Sequence, residues 1–470
     1  MYSEILSLST LLILIKKECD ETMAGPFKEF LRFTYNTLSS YTLKFNDDFN
    51  IDEMVTLTND NGDGTTTVEC YVRLNGGILP TKIQFYNSVG LLKVHYVSTS
   101  NLTTMKEMFS GCTNLTEIEG IEDWDVSNVT DMDSAFRDVG LTELDLSKWD
   151  VRKVTTMRLM FYISALQSIN ITGWKTYNLQ NTFKMFSGCS SLVEILGIND
   201  LNVSKITDLG EMFSESTQLA KLDLSNWDVS RVTTLANLFH DCVNLKSLSL
   251  SNWNTNKVTD MSFMFYNCNN LESISLLDWD TSNVKNMSYL FYDCKKLPSL
   301  NLLNWNTMNV TNMSFVFHGC ESMTCIDLSN WNTSSVTDMS YMIYDCRKLK
   351  TLNLSGIKMA MVTSMENMLT SIVSNELDSV LLYDVSFSTV NKIINLLSDV
   401  NPGYPRKIYV SKRVDISKIN VNTANSKYWQ VVQGDLIKAS NKGNVVLNCG
   451  DWLGIKIKRI HIGDTKILRY

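Results

Sequence analysis

The stretch Leu271-Glu-Ser-Ile-Ser-Leu-Leu-Asp-Trp279-Asp-Thr-Ser-Asn-Val284-Lys-Asn-Met287-Ser-Tyr-Leu-Phe291-Tyr-Asp-Cys294 is one copy of a phrase that the chain repeats. A period of roughly 20–50 residues is the signature of a solenoid or another repeat array. Such a unit cannot bury its apolar face alone, so each copy must stack on its neighbours. The sequence therefore predicts an elongated repeat protein that acts through a surface. The tryptophan returns at a strict interval of 26 residues, at Trp227, Trp253, Trp279, Trp305 and Trp331.

The two halves of each unit differ in their periodicity. Leu248-x-Leu250 and Leu300-x-Leu302 alternate apolar with polar residues, which predicts a short half-buried strand. The second half predicts a short helix with Thr259 or Asn286 as its cap, because its apolar residues share one helical face. We therefore predict an α/β fold, a leucine-rich-repeat-like solenoid of about eleven strand–turn–short-helix units of 25–27 residues, flanked by small β modules. The helical face is formed by Val258, Met261, Met264, Phe265 and Cys268.

The recurring large apolar residues are expected to form a dry interior, in which each side chain contributes about 1.5–3 kcal/mol. The tryptophans are interpreted as closing a turn at one edge of this core, with a row for stacking sugars as the alternative. Seven of the 11 cysteines occupy one slot of the repeat and are interpreted as reduced core residues, although neighbouring units would bring them within pairing distance. These seven are Cys112, Cys189, Cys242, Cys268, Cys294, Cys320 and Cys346.

The phrase Trp-(Asp/Asn)-(Thr/Val)-Ser-x-Val-Thr-x-Met-x-x-Met-Phe, followed by Cys and Leu-x-x-Leu-x-Leu, resembles the BspA-like leucine-rich-repeat surface proteins. It stands almost without gaps at Trp124–Met132, Trp227–Thr233 and Trp331–Met339, within a region from about Ser98 to Tyr383. The resemblance implies a non-enzymatic adhesin or binding protein exposed on a bacterial, mycoplasmal or protozoan surface. Similar repeats occur in proteins carried by bacteriophages, so it also implies that this could be a phage-borne member.

We predict five segments: an apolar N-terminal helix (1–24), a β-rich module or cap (25–97), the solenoid (98–383), a C-terminal cap (384–413) and a basic β tail (414–470). No Lys or Arg precedes the apolar run of the first segment, which argues against a signal peptide; an atypical export signal is the alternative. In the second segment, Asn59–Gly64 is interpreted as a hairpin turn, because Cys70 stands where a calcium loop needs a carboxylate. Phe387–Leu397 predicts an amphipathic helix, and Lys407–Val410 and Tyr428–Val432 predict strands.

Charge is distributed unevenly along the chain. Residues 406–470 hold thirteen Lys or Arg against four Asp or Glu, a net of +9, and the total of −8 leaves −17 for residues 1–405. The basic end is therefore expected to dock on an acidic partner.

The sequence offers no catalytic motif, and we predict that the protein is not an enzyme and has no metal or cofactor. It contains no nucleophile elbow, phosphate-binding loop or zinc-protease motif. Its four histidines lie far apart, no two cysteines stand at Cys-x-x-Cys spacing, and Cys320 and Cys325 have no second pair to complete a zinc site.

Two sets of side chains are candidates for binding: the outward strand rows and a row of aromatic residues. The outward strand rows are small, polar and slightly acidic, which suits a protein or a glycan and argues against nucleic acid. The second set is a row of aromatic side chains that end in a polar group: Tyr162, His240, Tyr266, Tyr292, His318 and Tyr344. The strand rows give the predicted ligand-binding residues, which are Asp223, Ser247, Ser249, Ser273, Ser275, Ser299, Asn301, Asp327 and Asn353.

We predict a surface-displayed binding or adhesion protein that recognises a protein or glycan on a host or cell surface. A phage fibre or decoration protein is one form of this prediction. A cellular adhesin and an intracellular scaffold are the alternatives. The termini are expected to mediate oligomerisation or attachment to a virion, and no transmembrane span is predicted.

Overall fold

The computed structural model of the chain describes residues 27–39, 42–46, 54–73, 79–370, 377–399, 403, 406–434, 461–462 and 465–466. The chain forms two compact units, Met1–Lys205 and Ile206–Tyr470. The predicted apolar helix at 1–24 lies outside the described residues. Among the residues that are described, no helix combines the length and the apolarity that crossing a bilayer requires.

The first unit begins with a five-stranded sheet in the order β3-β4-β1-β6-β7. The predicted hairpin at Asn59–Gly64 is confirmed, because β3 and β4 pair antiparallel across it and Gly62 and Gly64 have positive φ. At the far edge β6 pairs with β7 in parallel, so the sheet leads directly into the first turn of the solenoid. The strands are β1 (Phe27–Asn36), β2 (Lys44–Phe45), β3 (Met54–Asp60), β4 (Thr65–Arg73), β5 (Ile83–Gln84), β6 (Leu91–Val97) and β7 (Glu117–Ile118).

Both units continue as a β-solenoid, about 13 turns in all, and we call each turn a coil. Short strands of successive coils pair in parallel and in register, as in Leu222↔Leu248 of the second unit. A second line of contact runs along the solenoid through isolated parallel bridges such as Asp260↔Asn286. In the first unit the coil strands are β8 (Glu143–Asp145), β9 (Ser168–Asn170) and β10 (Glu194–Leu196). In the second they are β11 (Lys221–Asp223), β12 (Ser247–Ser249), β13 (Cys325–Asp327), β14 (Thr351–Asn353) and β15 (Ser379–Leu382).

The predicted helical half of each repeat is a stack of turns, so the α/β prediction was wrong for the coils. Met264 N–H donates to the C=O of Met261 in its own coil at 3.3 Å, whereas Phe265 N–H donates to Leu290 of the next coil at 3.0 Å. An α-helix would instead bond each amide four residues back. Consecutive turns bury residues at spacings of three and four, as a helix does, so the apolar pattern could not distinguish them.

The two predicted helix caps also serve the coils. The hydroxyl of Thr259 donates to the C=O of Thr233 at 3.2 Å, which ties one coil to the one before it. Asn286 Oδ1 accepts the N–H of Ser288 at 3.1 Å, which closes a local turn. Both side chains satisfy backbone groups, as predicted, but no helix follows them.

The sheet of the second unit is interrupted near a proline. At the start of each coil strand one amide donates to the preceding coil, as Glu272 N–H does to Lys246 C=O at 3.2 Å. The equivalent residue of the next coil is Pro298, which has no N–H to donate. The strand predicted at Leu300–Leu302 is absent, and the coil sheet divides into β11–β12 on one side and a five-stranded sheet that begins with β13 on the other.

The C-terminal elements extend the second unit. The predicted helix is confirmed as α1 (Phe387–Leu396), and the Oγ of its N-cap residue, Ser386, accepts the N–H of Thr389 at 3.1 Å. β16 (Arg406–Ser411) and β17 (Trp429–Gly434) confirm the predicted strands, with α2 (Val421–Ser426) between them. Both strands join the parallel sheet, so the predicted boundary at 413 falls inside it, and coils that lack the repeat motif raise the count above eleven. β18 (His461–Ile462) and β19 (Thr465–Lys466) pair antiparallel.

The interior confirms the predicted ladders. Core phenylalanines of adjacent coils stack at 5.2–5.9 Å between ring centroids within each unit. The tryptophans keep only 2–7% of their surface exposed, so they belong to the core and do not form a row for stacking sugars. The indole N–H of Trp253 donates to the C=O of Leu224 at 2.9 Å.

The column cysteines are buried and free of disulfides, as predicted. Each thiol donates to the carbonyl oxygen of a core phenylalanine in the preceding coil; for Cys294 and Phe265 the distance is 3.2 Å. Burial raises the pKa of the Cys112, Cys189 and Cys346 thiols to about 12, so at neutral pH they remain protonated donors.

Candidate binding faces

Five of the predicted binding residues line one shallow depression on the strand side of the second unit. The depression has a volume of about 580 Å³. Its floor contains Leu222, Leu248 and Ile274, and polar side chains stand on both sides of that floor because residues two apart in a strand share its outward face. Its polar lining is Lys221, Asp223, Ser247, Ser249, Ser273 and Ser275.

Strand register arranges these polar residues in two rows that run from coil to coil. Lys221 lies opposite Ser247, which bridges to Ser273, and Asp223 lies opposite Ser249. The side chain and the N–H of Ser225 hydrogen-bond to Asp223 and hold the pKa of that carboxyl below its usual range. The depression therefore presents one carboxylate, one ammonium group and a set of hydroxyls above an apolar floor.

The remaining predicted residues are placed less favourably. Ser299 and Asn301 lie in the segment without strand pairing next to Pro298. Asp327 is half-buried, and its carboxylate accepts the N–H of Ser329 at 2.9 Å. Asn353 is only 6% exposed, so its predicted place on an exposed face was wrong. It stands inside the wide parallel sheet, between Asp327 and Leu381, and its own Oδ1 accepts the N–H of Ser355.

The opposite, turn side of the second unit carries a double ladder of nine half-buried aromatic rings, which we call the aromatic strip. Rings within its outer row stack at 4.3–5.0 Å between centroids, and rings within its inner row stack at 4.4–4.7 Å. The two rows meet at a tilt, as at Tyr289 and Tyr292, whose centroids are 5.6 Å apart. The outer row is His240, Tyr266, Tyr292, His318 and Tyr344, and the inner row is Phe263, Tyr289, Phe315 and Tyr341.

Only the outer row of this strip was predicted from the sequence. The inner row recurs at the same interval of 26 residues, so the repeat contained the signal. The pattern is less uniform than that of the core, because phenylalanine and tyrosine alternate, and the segment was predicted to be a helix. Tyr162, the remaining member of the predicted row, lies in the first unit, where Arg137 and Lys184 approach its ring at 5.5 and 5.9 Å.

Ring centroids of adjacent coils lie closest together in the strip. In the same part of the second unit, core phenylalanine centroids are 5.4–5.9 Å apart and tryptophan centroids 5.9–6.3 Å apart. Tight ring packing on the turn side thus coincides with the loss of strand pairing on the other side. The depression lies where the paired strands β11 and β12 give way to this open segment.

A chain of hydrogen-bonded side chains lies outside these faces. Thr34, His95 and Glu119 form a chain, with His95 Nε2 at 2.8 Å from the Thr34 hydroxyl and Nδ1 at 2.9 Å from Glu119. The Thr34 hydroxyl also contacts that of Thr67 at 3.0 Å, and Thr34 is 9% exposed within the five-stranded sheet. We interpret this chain as a structural network. Among the described residues, no group of three or more His, Cys, Asp or Glu side chains is arranged to hold a metal ion.

A family model and a solved structure are similar to this chain. No curated protein matches the sequence. Among solved structures, a chain in "Crystal structure of TLR13-ssRNA13 complex" is similar at 14% identity, over 74% of this chain and 74% of that chain, with a TM-score of 0.16. Residues 84–198, 193–275 and 272–379 each match the family described as "Mycoplasma protein of unknown function, DUF285". Because these matches span more than half of the 470 residues, the chain belongs to that family.

Proposed function

We propose that this protein is a non-enzymatic binding protein that recognises a protein or a glycan through the strand side of its second unit. The depression between Lys221 and Ser275 carries the proposal, because it sets exposed polar side chains at the fixed period of a stacked scaffold. Solenoid proteins commonly bind through such extended surfaces. A single lysine among hydroxyls and a carboxylate offers little to a phosphate backbone, so nucleic acid is not the proposed ligand.

The proposal is tested by applying the labelled full-length chain to arrays of glycans and of cell-surface proteins. The test variant is Ser249→Arg/Ser275→Arg, which fills the depression with two long charged side chains. The control is Ser168→Arg, because Ser168 holds the position of Ser247 in a coil of the first unit. We expect specific binding by the native chain and by the control, and its loss in the double variant. Equal binding by all three proteins would place the site elsewhere.

Display on a virion or on a cell surface is the second part of the proposal, and it rests on the sequence resemblance. Mass spectrometry of purified phage particles and of cell-surface fractions distinguishes the two locations. The chain is expected in one of these fractions. Recovery only from the cell interior would favour an intracellular scaffold instead.

A further inference from the structure

We propose that the aromatic strip is the interface through which two copies of this chain pair, running antiparallel to each other. The strip is sharply bounded within the second unit. The inner row ends in Asn237 and Asn367, and the positions that would continue the outer row are Ser214 and Thr370. Nine aromatic side chains are thus concentrated on five successive coils, each of them partly exposed to solvent.

The backbone does not favour aromatic residues in the inner row. Phe263, Tyr289, Phe315 and Tyr341 all have φ between 53° and 60°, in the left-handed region that bulky side chains rarely adopt. The two coils that flank them carry asparagine, which tolerates this conformation better. Because neighbouring coils form the same turn with Glu211, Asn237 or Asn367, the turn itself does not require an aromatic residue at this position.

The exposed parts of the rings indicate the kind of partner. Stacking within each row covers the ring faces, so a sugar or a cation that must lie flat on a ring finds little room. Ring edges and the hydroxyls of tyrosine remain at the surface, and such partly apolar, partly polar groups are typical of protein–protein interfaces. The partner is therefore a protein surface.

The period and the charges favour a second copy of the chain. Along five coils a partner must match rings spaced 4.3–5.0 Å apart, and another copy has this period by construction. Glu215 and Asp241 flank the first coils of the strip, whereas Lys348 flanks the last; the neighbouring Arg347 pairs within the chain with Asp345 at 2.9 Å and with Glu321 at 3.7 Å. A two-fold axis near the central coil makes the interface isologous and sets Lys348 of each copy opposite the acidic first coils of the other.

Sedimentation of the full-length chain tests the interface. We expect a dimer, and we expect Tyr289→Asn/Phe315→Asn to weaken dimerisation at least about a hundredfold. Asparagine occupies the same backbone position in two other coils, so circular dichroism and the thermal midpoint should change little. Ser275→Asn, on the strand side, is the control and should dimerise normally. A monomeric native chain, or an unaffected double variant, would overturn the proposal.

A charge exchange tests the antiparallel orientation. In a dimer of Asp241→Lys, each introduced lysine lies opposite Lys348 of the other copy. In a dimer of Lys348→Asp, each introduced aspartate lies opposite Asp241 of the other copy. A mixture of the two variants restores both attractive contacts in the heterodimer. We expect each variant to dimerise at least about tenfold more weakly than the native chain, and the mixture to regain the native affinity. A mixture no tighter than its components would exclude this orientation.

Discussion

The thiol column adds a second hydrogen bond to carbonyl oxygens of the core phenylalanines. The Phe265 carbonyl, for example, already accepts the N–H of Cys268 in its own coil at 3.2 Å, and a carbonyl oxygen has a second lone pair for a further donor. Cysteine is small enough for the slot and supplies a weak donor, as Cys294 does to Phe265. Its recurrence in the sequence was correctly interpreted as core packing, but this hydrogen bond was not visible there.

Removing one thiol should therefore destabilise the fold. We expect Cys294→Ala to lower the free energy of unfolding by about 0.5–1.5 kcal/mol, because it removes one of the two hydrogen bonds that the Phe265 carbonyl accepts and leaves only the N–H of Cys268. Cys294→Ser keeps a donor in the slot, as Ser164 and Ser216 do in other coils, and should cost less. Denaturant titration measures both changes. If both variants lose the same stability, the volume of the side chain, and not its hydrogen-bond donor, accounts for the loss.

The same column predicts sensitivity to alkali. The folded chain holds the pKa of Cys112, Cys189 and Cys346 at about 12, above the ordinary value of 9.0, so the stability they contribute is fully present below pH 9.0. As pH rises from there towards 12, the unfolded chain releases these protons and the folded chain keeps them. The free energy of unfolding then falls by about 1.4 kcal/mol per pH unit for each thiol. Unfolding titrations between these pH values should show a steep loss of stability, and Cys112→Ser should make it shallower. A flat profile would contradict the buried, protonated column.

At the scale of elements, the sequence predicted which residues point inward and missed what the backbone does between them. Strand pairs such as Leu222 and Leu248 could be predicted, because apolar and polar residues alternate along each strand. The run from Val258 to Cys268 fits a helix and a series of turns equally well, because both bury residues three or four apart. Asn353 could not be placed by local pattern, since its burial depends on the wide sheet around it. Pro298, in contrast, can be recognised in the sequence as a residue without an amide hydrogen to donate to the preceding coil.

Restoring the missing amide should extend the sheet. In Pro298→Glu, the new residue is the one that the preceding coil carries as Glu272, and its N–H can donate to the C=O of that residue. We expect slower hydrogen exchange at the amides of Leu300–Leu302, because a paired strand opens less often. Exchange in β14, on the far side of the break, serves as the internal control. Unchanged exchange at Leu300–Leu302 would mean that ring packing on the turn side, and not the proline, keeps the strands apart.

At the scale of the whole molecule, the repeat itself is the unit of stability. Each coil contacts its neighbours almost in register, so energies should add coil by coil. The sequence established this repeat and its interior from Trp227 to Trp331. It undercounted the coils because β16 and β17 continue the sheet without the motif.

Removing one whole coil should therefore preserve the fold. Deletion of residues 232–257 joins Arg231 to Val258 and keeps every later residue in register. We expect a cooperative, slightly less stable protein with a similar circular dichroism spectrum. Deleting only the first half of that segment, residues 232–244, shifts the core residues out of their columns and should unfold the second unit. Equal behaviour of the two deletions would argue against independent coils.

We assign a different task to each side of the second unit: ligand binding to the strand side and pairing of two copies to the aromatic strip. Ser249→Arg/Ser275→Arg and Tyr289→Asn/Phe315→Asn are applied beside the native chain to the glycan and protein arrays, at a concentration where the native chain binds. We expect the strand-side variant to lose its ligand. The strip variant should keep the same ligand preference, with binding weakened only by the loss of the second copy. Loss of ligand preference in the strip variant, with preference retained in the strand-side variant, would contradict the account.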